Sequence, residues 1–229
     1  MLASSRSLLR RCWWFVSCLG FLSLPAAAQE PSPEPPPAAS PRFGLGVRVA
    51  HGFPGDISSE ETGLPRDLQG LVIAPQVDVS WFYSPHLSFG LHGQYGVGRY
   101  SRYCGDESCR GGVLRVGLGL QYQFTPERVW SAWVGAGVGY ERHMMKERNL
   151  DQWGESRSSV WSGFELARAE VGVDLKLSEH FRVGPYVTGS AGTYLWRSTR
   201  AAPYMDRTES LDFALHFWVM PGVRLQARL

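Results

Sequence analysis

Between Phe43 and Leu229 the chain repeats stretches of about ten residues in which apolar side chains alternate with small or polar ones. One parity of the clearest stretch carries Leu114, Val116, Leu118, Leu120, Tyr122 and Phe124. The other parity carries Arg115, Gly117, Gly119, Gln121 and Gln123. A period of two predicts a β-strand with one apolar face, and eight such stretches predict an all-β fold.

Tight turns and long polar segments alternate strictly between these eight strands. The short turns are Ser84-Pro85-His86, residues 125–128 and Ser178-Glu179-His180, and the long loops are residues 52–70, 99–112, 144–158 and 197–210. This order predicts an antiparallel up-and-down β-barrel with the short turns and both termini at one rim. Aromatic residues typical of a membrane interface lie beside the short turns: Trp81, Tyr83, Phe89, Tyr122, Phe124, Trp130 and Phe181.

The first 42 residues do not share the alternation. Residues 1–28 combine three arginines, an apolar run and a small-residue cleavage site, which predicts a cleaved signal peptide. A lipoprotein cut before Cys18 is the alternative, but the apolar run continues beyond it. Residues 29–42 are Pro-rich and predict a stiff periplasmic tether, although such segments also bind partner domains. The barrel domain is then residues 43–229.

The charge of the chain argues against nucleic-acid binding. Three of the 23 Lys and Arg residues, and none of the 21 Asp and Glu residues, lie in the predicted signal peptide. The mature chain therefore has a net charge of about −1 and lacks the excess of positive charge that nucleic-acid binding requires. No apolar run after the signal reaches about 18 residues, so we expect no transmembrane helix.

The composition of the second parity indicates which face looks outwards. A soluble barrel of the lipocalin type would fill its interior with the apolar set and cover its surface with Lys and Glu. Here the second set is rich in glycine, for example Gly90, Gly117, Gly119, Gly135 and Gly137. Because glycine weakens strands, this density favours a narrow barrel whose interior must make room for larger neighbours. The apolar set would then face lipid, as in a transmembrane β-barrel.

Charged and amide side chains of both signs share the glycine-rich parity. We predict a polar network in the lumen formed by Arg48, Arg115, Gln121, Glu141, Glu170, Asp174, Lys176 and Arg224. Such charges must pair, because they are removed from water. The network would plug the barrel, since eight strands do not enclose an open aqueous channel. A gated ion path through it is the alternative.

Two features of the strands predict local irregularity. Phe164 and Leu166 lie on the opposite parity from Val171 and Val173, which a β-bulge near Arg168 would reconcile. Pro75, Pro185 and Pro221 fall inside strands, where a closed barrel has no free edge to accommodate them. We expect bulges at these prolines as well.

Few residues suggest a disulfide, a metal site or a catalytic site. Cys104 and Cys109 are close in an exported chain and predict a loop disulfide, whereas metal binding would need a nearby histidine. A rim enzyme could draw on His51, Glu141, His143, Asp151 and Glu155, but no Ser/His/acid grouping or paired carboxylates can be recognised. We expect no catalytic site, no metal site and no cofactor.

The predicted strand count, the three short turns, the segment 181–186 and the amphipathic last strand resemble the small outer-membrane β-barrel family, of the OmpA transmembrane-domain and OmpX-like type. The resemblance covers residues 43–229. It implies a bacterial outer-membrane location, contact with lipid and lipopolysaccharide, and docking on the barrel-assembly machinery. The expected function is a structural or surface-interaction role through the extracellular loops, which would contact protein partners. The alternatives are a narrow channel or transport component and a lipid- or peptide-modifying rim enzyme.

Overall fold

A computed structural model describes residues 42–56, 72–100, 109–148, 156–201 and 205–229. The strands in these ranges are β1 (Phe43–Asp56), β2 (Val72–Phe82), β3 (Leu87–Tyr100), β4 (Cys109–Gln123), β5 (Trp130–Arg148), β6 (Ser156–Lys176), β7 (Phe181–Ala201) and β8 (Met205–Arg228). Each strand pairs antiparallel with its neighbours in sequence, and β8 pairs with β1 to close a barrel. The predicted eight-stranded up-and-down β-barrel is therefore confirmed. Within the described residues, no helix is long and apolar enough to cross a membrane.

The three short turns lie at one rim, together with the ends of β1 and β8, where Gly44 is opposite Arg228. Serine hydroxyls stabilise two of these turns. Ser84 Oγ accepts a hydrogen bond from the Leu87 amide at 3.0 Å, and Ser178 Oγ accepts one from the Phe181 amide at 3.1 Å. The similar turn sequences at residues 84–86 and 178–180 therefore reflect one local device, a serine that holds the start of the returning strand.

Side chains alternate between a buried interior and an exposed exterior along the strands. Glycine makes this possible where a large side chain crosses the narrow lumen. A Cβ atom at Gly172 would lie 2.6 Å from the Trp133 ring, and one at Gly44 would lie 2.8 Å from the Phe82 ring. These two glycines thus provide the space that the neighbouring aromatic side chains occupy.

Strands extend into all four of the predicted long loops, and furthest into two of them. The predicted loop at residues 144–158 contains the end of β5 and the start of β6, and the predicted loop at 197–210 contains the end of β7 and the start of β8. In these segments polar residues occupy both parities, so the period-two signal of hydrophobicity is absent. Backbone pairing continues regardless, for example between Arg200 and Asp206.

The predicted bulge near Arg168 is confirmed. The β6–β7 register shifts between Glu165 and Ala167, and Leu166 and Ala167 both face outwards, which turns Arg168 into the lumen. A second shift interrupts the β5–β6 register between Gly137 and Gly139.

The prediction of bulges at the three prolines is wrong. Pro75, Pro185 and Pro221 each keep a paired residue on one neighbouring strand: Val49, Val223 and Val187. On the other side the pairing skips the proline, but the register is the same before and after the gap. The missing N–H therefore removes local pairing on one side only and requires no additional residue.

Candidate functional site in the barrel lumen

The exterior of the barrel is apolar. Leu118, Leu120 and Val77 are each more than half exposed, as are many other large apolar side chains of the outward parity. Phe43 and Trp81 pack edge to face beside the short turns, and Tyr140 and Phe164 do so nearer the other rim. Trp130 and Tyr140 of β5 are separated by ten residues, about 33 Å along a strand. With the tilt usual in such barrels this corresponds to a height of about 25 Å, the thickness of a membrane-spanning apolar band.

The middle of the lumen holds a charged cluster. Arg48 Nε lies 2.6 Å from Asp78 Oδ2, and Arg48 Nη1 lies 2.9 Å from Glu170 Oε2. Glu170 also contacts Arg168 at 2.6 Å, and Arg168 donates to Gln76 Oε1 at 2.9 Å. Two guanidinium groups and two carboxylates from β1, β2 and β6 thus neutralise each other inside the barrel.

A second cluster lies towards the long-loop rim, one residue beyond Tyr140. Glu141 lies 2.8 Å from Arg115 Nε and 3.3 Å from His216 Nε2, and the Tyr194 hydroxyl donates to the same carboxylate. Arg115 also lies over the Trp218 ring, 4.5 Å from its centroid. The ring face attracts the cation, which is otherwise removed from water.

A third cluster lies near the short-turn rim. Arg224 contacts both carboxylate oxygens of Asp174, at 2.9 and 2.5 Å, and donates to Gln121 Oε1 at 2.6 Å. Trp133 Nε1 donates to Asp174 at 3.2 Å, and the Arg224 guanidinium lies 3.5 Å from the centroid of the Trp133 ring. This bidentate pair fixes the orientation of both side chains.

Of the residues that the sequence predicts for the network, one has a different environment. Lys176 lies beside the last short turn and pairs with the exposed Glu179 at 2.8 Å. That hydrogen bond holds the pKa of the Glu179 carboxyl below its usual value. The other seven predicted residues distribute over the three clusters: Arg48, Arg115, Gln121, Glu141, Glu170, Asp174 and Arg224.

Sequence analysis missed several participants. Asp78 and Gln76 follow the inward parity of β2, so the alternation alone could have identified them. Arg168 lies at the bulge, where the two halves of β6 imply opposite faces. Glu165 is buried too, but the Arg168 guanidinium and the His92 imidazole come no closer to it than 3.9 Å.

Of the residues considered for a rim enzyme, the structure describes His51, Glu141 and His143. Glu141 and His143 are fully buried, and the Glu141 carboxylate is held by Arg115 and Tyr194. His51 packs on Phe53 with ring centroids 4.4 Å apart. Asp151 and Glu155 lie outside the described residues. Among the residues described, no three His, Cys, Asp or Glu side chains converge as a metal site would require.

Three adjacent glycines leave one part of the lumen wall without side chains. Gly90, Gly119 and Gly137 lie side by side on β3, β4 and β5. They border a pocket with the central charged cluster on its other side, lined among others by Arg48, Asp78, His92, Arg168 and Glu170. Because charged side chains of the central cluster line this pocket, a water molecule in it would have polar partners.

No known protein-family model matches this chain, and no curated protein is detectably similar to it. Solved structures similar in fold include the outer membrane protein OprG from Pseudomonas aeruginosa, with a TM-score of 0.50 and 13% identity over 83% of this chain and 96% of that one. Neisserial surface protein A gives a TM-score of 0.48 and 13% identity over 82% and 97%. The attachment invasion locus protein Ail of Yersinia pestis gives 0.42 and 11% over 82% and 99%.

The chain therefore has the fold of the small eight-stranded outer-membrane β-barrel proteins. At such low identity the likeness concerns the fold alone. Any role in the membrane has to be argued from the residues of this chain.

Proposed function

We propose that this protein is an outer-membrane β-barrel with a structural or surface-interaction role, and that its polar network plugs the lumen. The observation that carries the proposal is the reversed distribution of polarity. Large apolar side chains cover the exterior, whereas Arg48, Arg115, Arg224 and their carboxylate partners are buried in the interior. Such a surface is stable in lipid and would aggregate in water.

The proposal includes the route and the orientation of the protein. Residues 1–28 would be removed on export, and residues 29–42 would remain as a periplasmic tether on the short-turn rim. Insertion would then use the barrel-assembly machinery, which would recognise the last strand. The long-loop rim would face outwards and contact lipopolysaccharide or protein partners. A disulfide between Cys104 and Cys109 would restrain one of these loops; Cys109 starts β4, and Cys104 lies outside the described residues.

The lumen supports plugging in preference to conduction or catalysis. In each cluster a guanidinium group contacts a carboxylate of the same cluster, for example in the bidentate Arg224–Asp174 pair and in the contact of Arg48 with two carboxylates. Opening a path would separate buried charges, which costs several kcal/mol per ion. We accordingly propose a role without catalysis, in which the described barrel serves as a rigid support.

Three measurements test this function. Membrane fractionation and the migration of unboiled against boiled protein in detergent should show an outer-membrane protein whose compact form is lost on heating. In planar bilayers the purified protein should give no stable conductance. A soluble protein that is insensitive to heating would overturn the membrane assignment, and stable, selective conductance would overturn the plug.

A narrow channel is the second candidate function, and the row of three glycines in the wall of the lumen is the observation that favours it. Gly90, Gly119 and Gly137 leave open space beside the central cluster. If this space conducts, replacement of Glu170 or Arg115 should abolish the conductance of the wild-type protein. A conductance that these substitutions leave unchanged would come from another path or from a contaminant.

A further inference from the structure

Two cations with no ion-pair partner among the described residues lie on the outer face of β5, beyond Tyr140. Arg142 and Lys146 are both exposed, on the same side of the strand as Tyr140. No ion pair joins either of them to another described residue. Because an exposed cation near a membrane interface attracts anionic lipid, these two residues suggest a contact with headgroups.

The strands on either side of β5 supply no neutralising acid at the paired positions. On β6, Ser162 is opposite Arg142 and Ser158 is opposite Lys146. On β4, Arg110 is opposite Lys146, and on β3, Arg99 is opposite Arg110. We call Arg142 and Lys146 the basic wall. Arg110 and Arg99 continue its row of paired backbone positions on β4 and β3.

β7 and β8 differ in the charges that they carry at a similar distance from the short-turn rim. Ser158 of β6 is opposite Arg200 of β7, so Lys146 and Arg200 belong to one row of paired residues. Arg200 pairs with Asp206 at 2.9 Å, and Arg207 lies 3.6 Å from Glu209. Arg200 and Arg207 are thus neutralised within the chain, whereas Arg142 and Lys146 have no ion-pair partner among the described residues.

We propose that the basic wall binds the phosphate groups of a phosphorylated glycolipid in the outer leaflet, the lipid A part of lipopolysaccharide. The proposal rests on the outer-membrane location and orientation proposed above. Arg142 lies two residues beyond Tyr140, about 7 Å along the strand, which is the level of the headgroups. Lys146 lies a further four residues, about 13 Å, along the same strand. Arginine can bind phosphate in a bidentate manner, and lysine adds a point charge.

The geometry favours a lipid over a soluble polyanion. Arg142 and Lys146 point sideways from the wall, into the region that surrounding lipids occupy, and Arg142 follows directly on the apolar band. A glycolipid can therefore place its acyl chains against the band and its phosphates against the basic wall at the same time. A soluble glycan could use only the second of these contacts.

Binding of bisphosphorylated lipid A to the refolded protein in mixed micelles, measured by titration calorimetry, tests the proposal. The variant with Arg142→Gln and Lys146→Gln should bind about 30-fold more weakly, since each cation contributes about 1 kcal/mol at an anionic surface. The control variant carries Arg200→Gln and Arg207→Gln, which removes the same net charge at a similar height. It should lose less than about threefold.

Three results would overturn the proposal. The two double variants could lose affinity for lipid A equally, or the wild-type protein could bind lipid A without phosphates with the same affinity. The protein could also bind soluble heparin fragments through Arg142 and Lys146 and fail to bind lipid A. Migration of the unboiled protein separates this failure from that of the proposed function. A compact, membrane-inserted protein whose binding of lipid A does not depend on the phosphates contradicts only the proposal for the basic wall. A wild-type protein that never inserts contradicts both.

Discussion

A comparison of the stability of the Glu170→Gln and Glu165→Gln variants tests whether specific ion pairing, rather than burial, determines how much a carboxylate in the lumen stabilises the barrel. Both carboxylates are in the interior, and Glu165 is the more deeply buried, with 1% of its side chain exposed against 10% for Glu170. Glu170 contacts Arg48 at 2.9 Å and Arg168 at 2.6 Å, whereas the cations nearest Glu165 are 3.9 Å away. Glutamine preserves the shape of each side chain and removes only the charge.

Removing one partner of a buried ion pair costs roughly 3–5 kcal/mol. Arg48 retains Asp78 and Arg168 retains Gln76 after Glu170→Gln, so we expect the lower end, about 3 kcal/mol. For Glu165→Gln the lost attraction is weaker and the desolvation of a charge is relieved. The free energy of unfolding should therefore change by less than about 1 kcal/mol in either direction.

The assay is reversible urea unfolding in lipid vesicles, followed by tryptophan fluorescence. Glu170→Gln should lower the free energy of unfolding by at least about 2 kcal/mol more than Glu165→Gln does. If the two variants are equally stable, or if Glu165→Gln is the less stable one, burial outweighs pairing and the reasoning is refuted.

Three further predictions concern the wall and the loops. Gly172→Val should destabilise the barrel by about 1–3 kcal/mol in the same assay, because its Cβ would lie 2.6 Å from the Trp133 ring. Gly93→Ala, with no atom within 4 Å of the new Cβ, should be nearly neutral. Equal effects of the two substitutions on stability would contradict the packing argument. Leu118→Arg, on the exposed apolar exterior, should cost about 2–4 kcal/mol in vesicles, and a neutral effect would place Leu118 outside the lipid. Mass spectrometry of the alkylated, unreduced protein should find Cys104 and Cys109 unmodified, and two alkylated thiols would exclude the disulfide.

The membrane-spanning part of the fold could be predicted from sequence because lipid and lumen impose opposite polarities on alternate residues. Leu118 and Leu120 therefore follow one parity and Arg115 and Gln121 the other. Beyond the apolar band polar residues occupy both faces, so the alternation is lost. For this reason the sequence predicts a loop at residues such as Arg200 and Asp206, although their backbones pair.

Individual partners in the lumen could be predicted less well. Parity indicates that Arg48 and Glu170 face inwards, but the distance between them depends on the register across several strands and on the bulge that redirects Arg168. Lys176 has the inward parity but lies so near the turn that Glu179 is its partner. The prolines cause no bulges because a closed barrel accommodates a one-sided gap in pairing without a change of register.

The most direct test of the account is to measure whether each face of β4 contacts lipid or water in a bilayer. Single nitroxide labels at Val116, Leu118, Leu120, Gln121 and Gln123, in a background without the native cysteines, can be compared by their collision with lipid-soluble oxygen and a water-soluble nickel chelate. The account predicts high oxygen access at the first three positions and low access at Gln121 and Gln123, whose side chains face the lumen. Strong nickel access at Leu118 and Leu120 would contradict a lipid-facing exterior, and with it the membrane barrel.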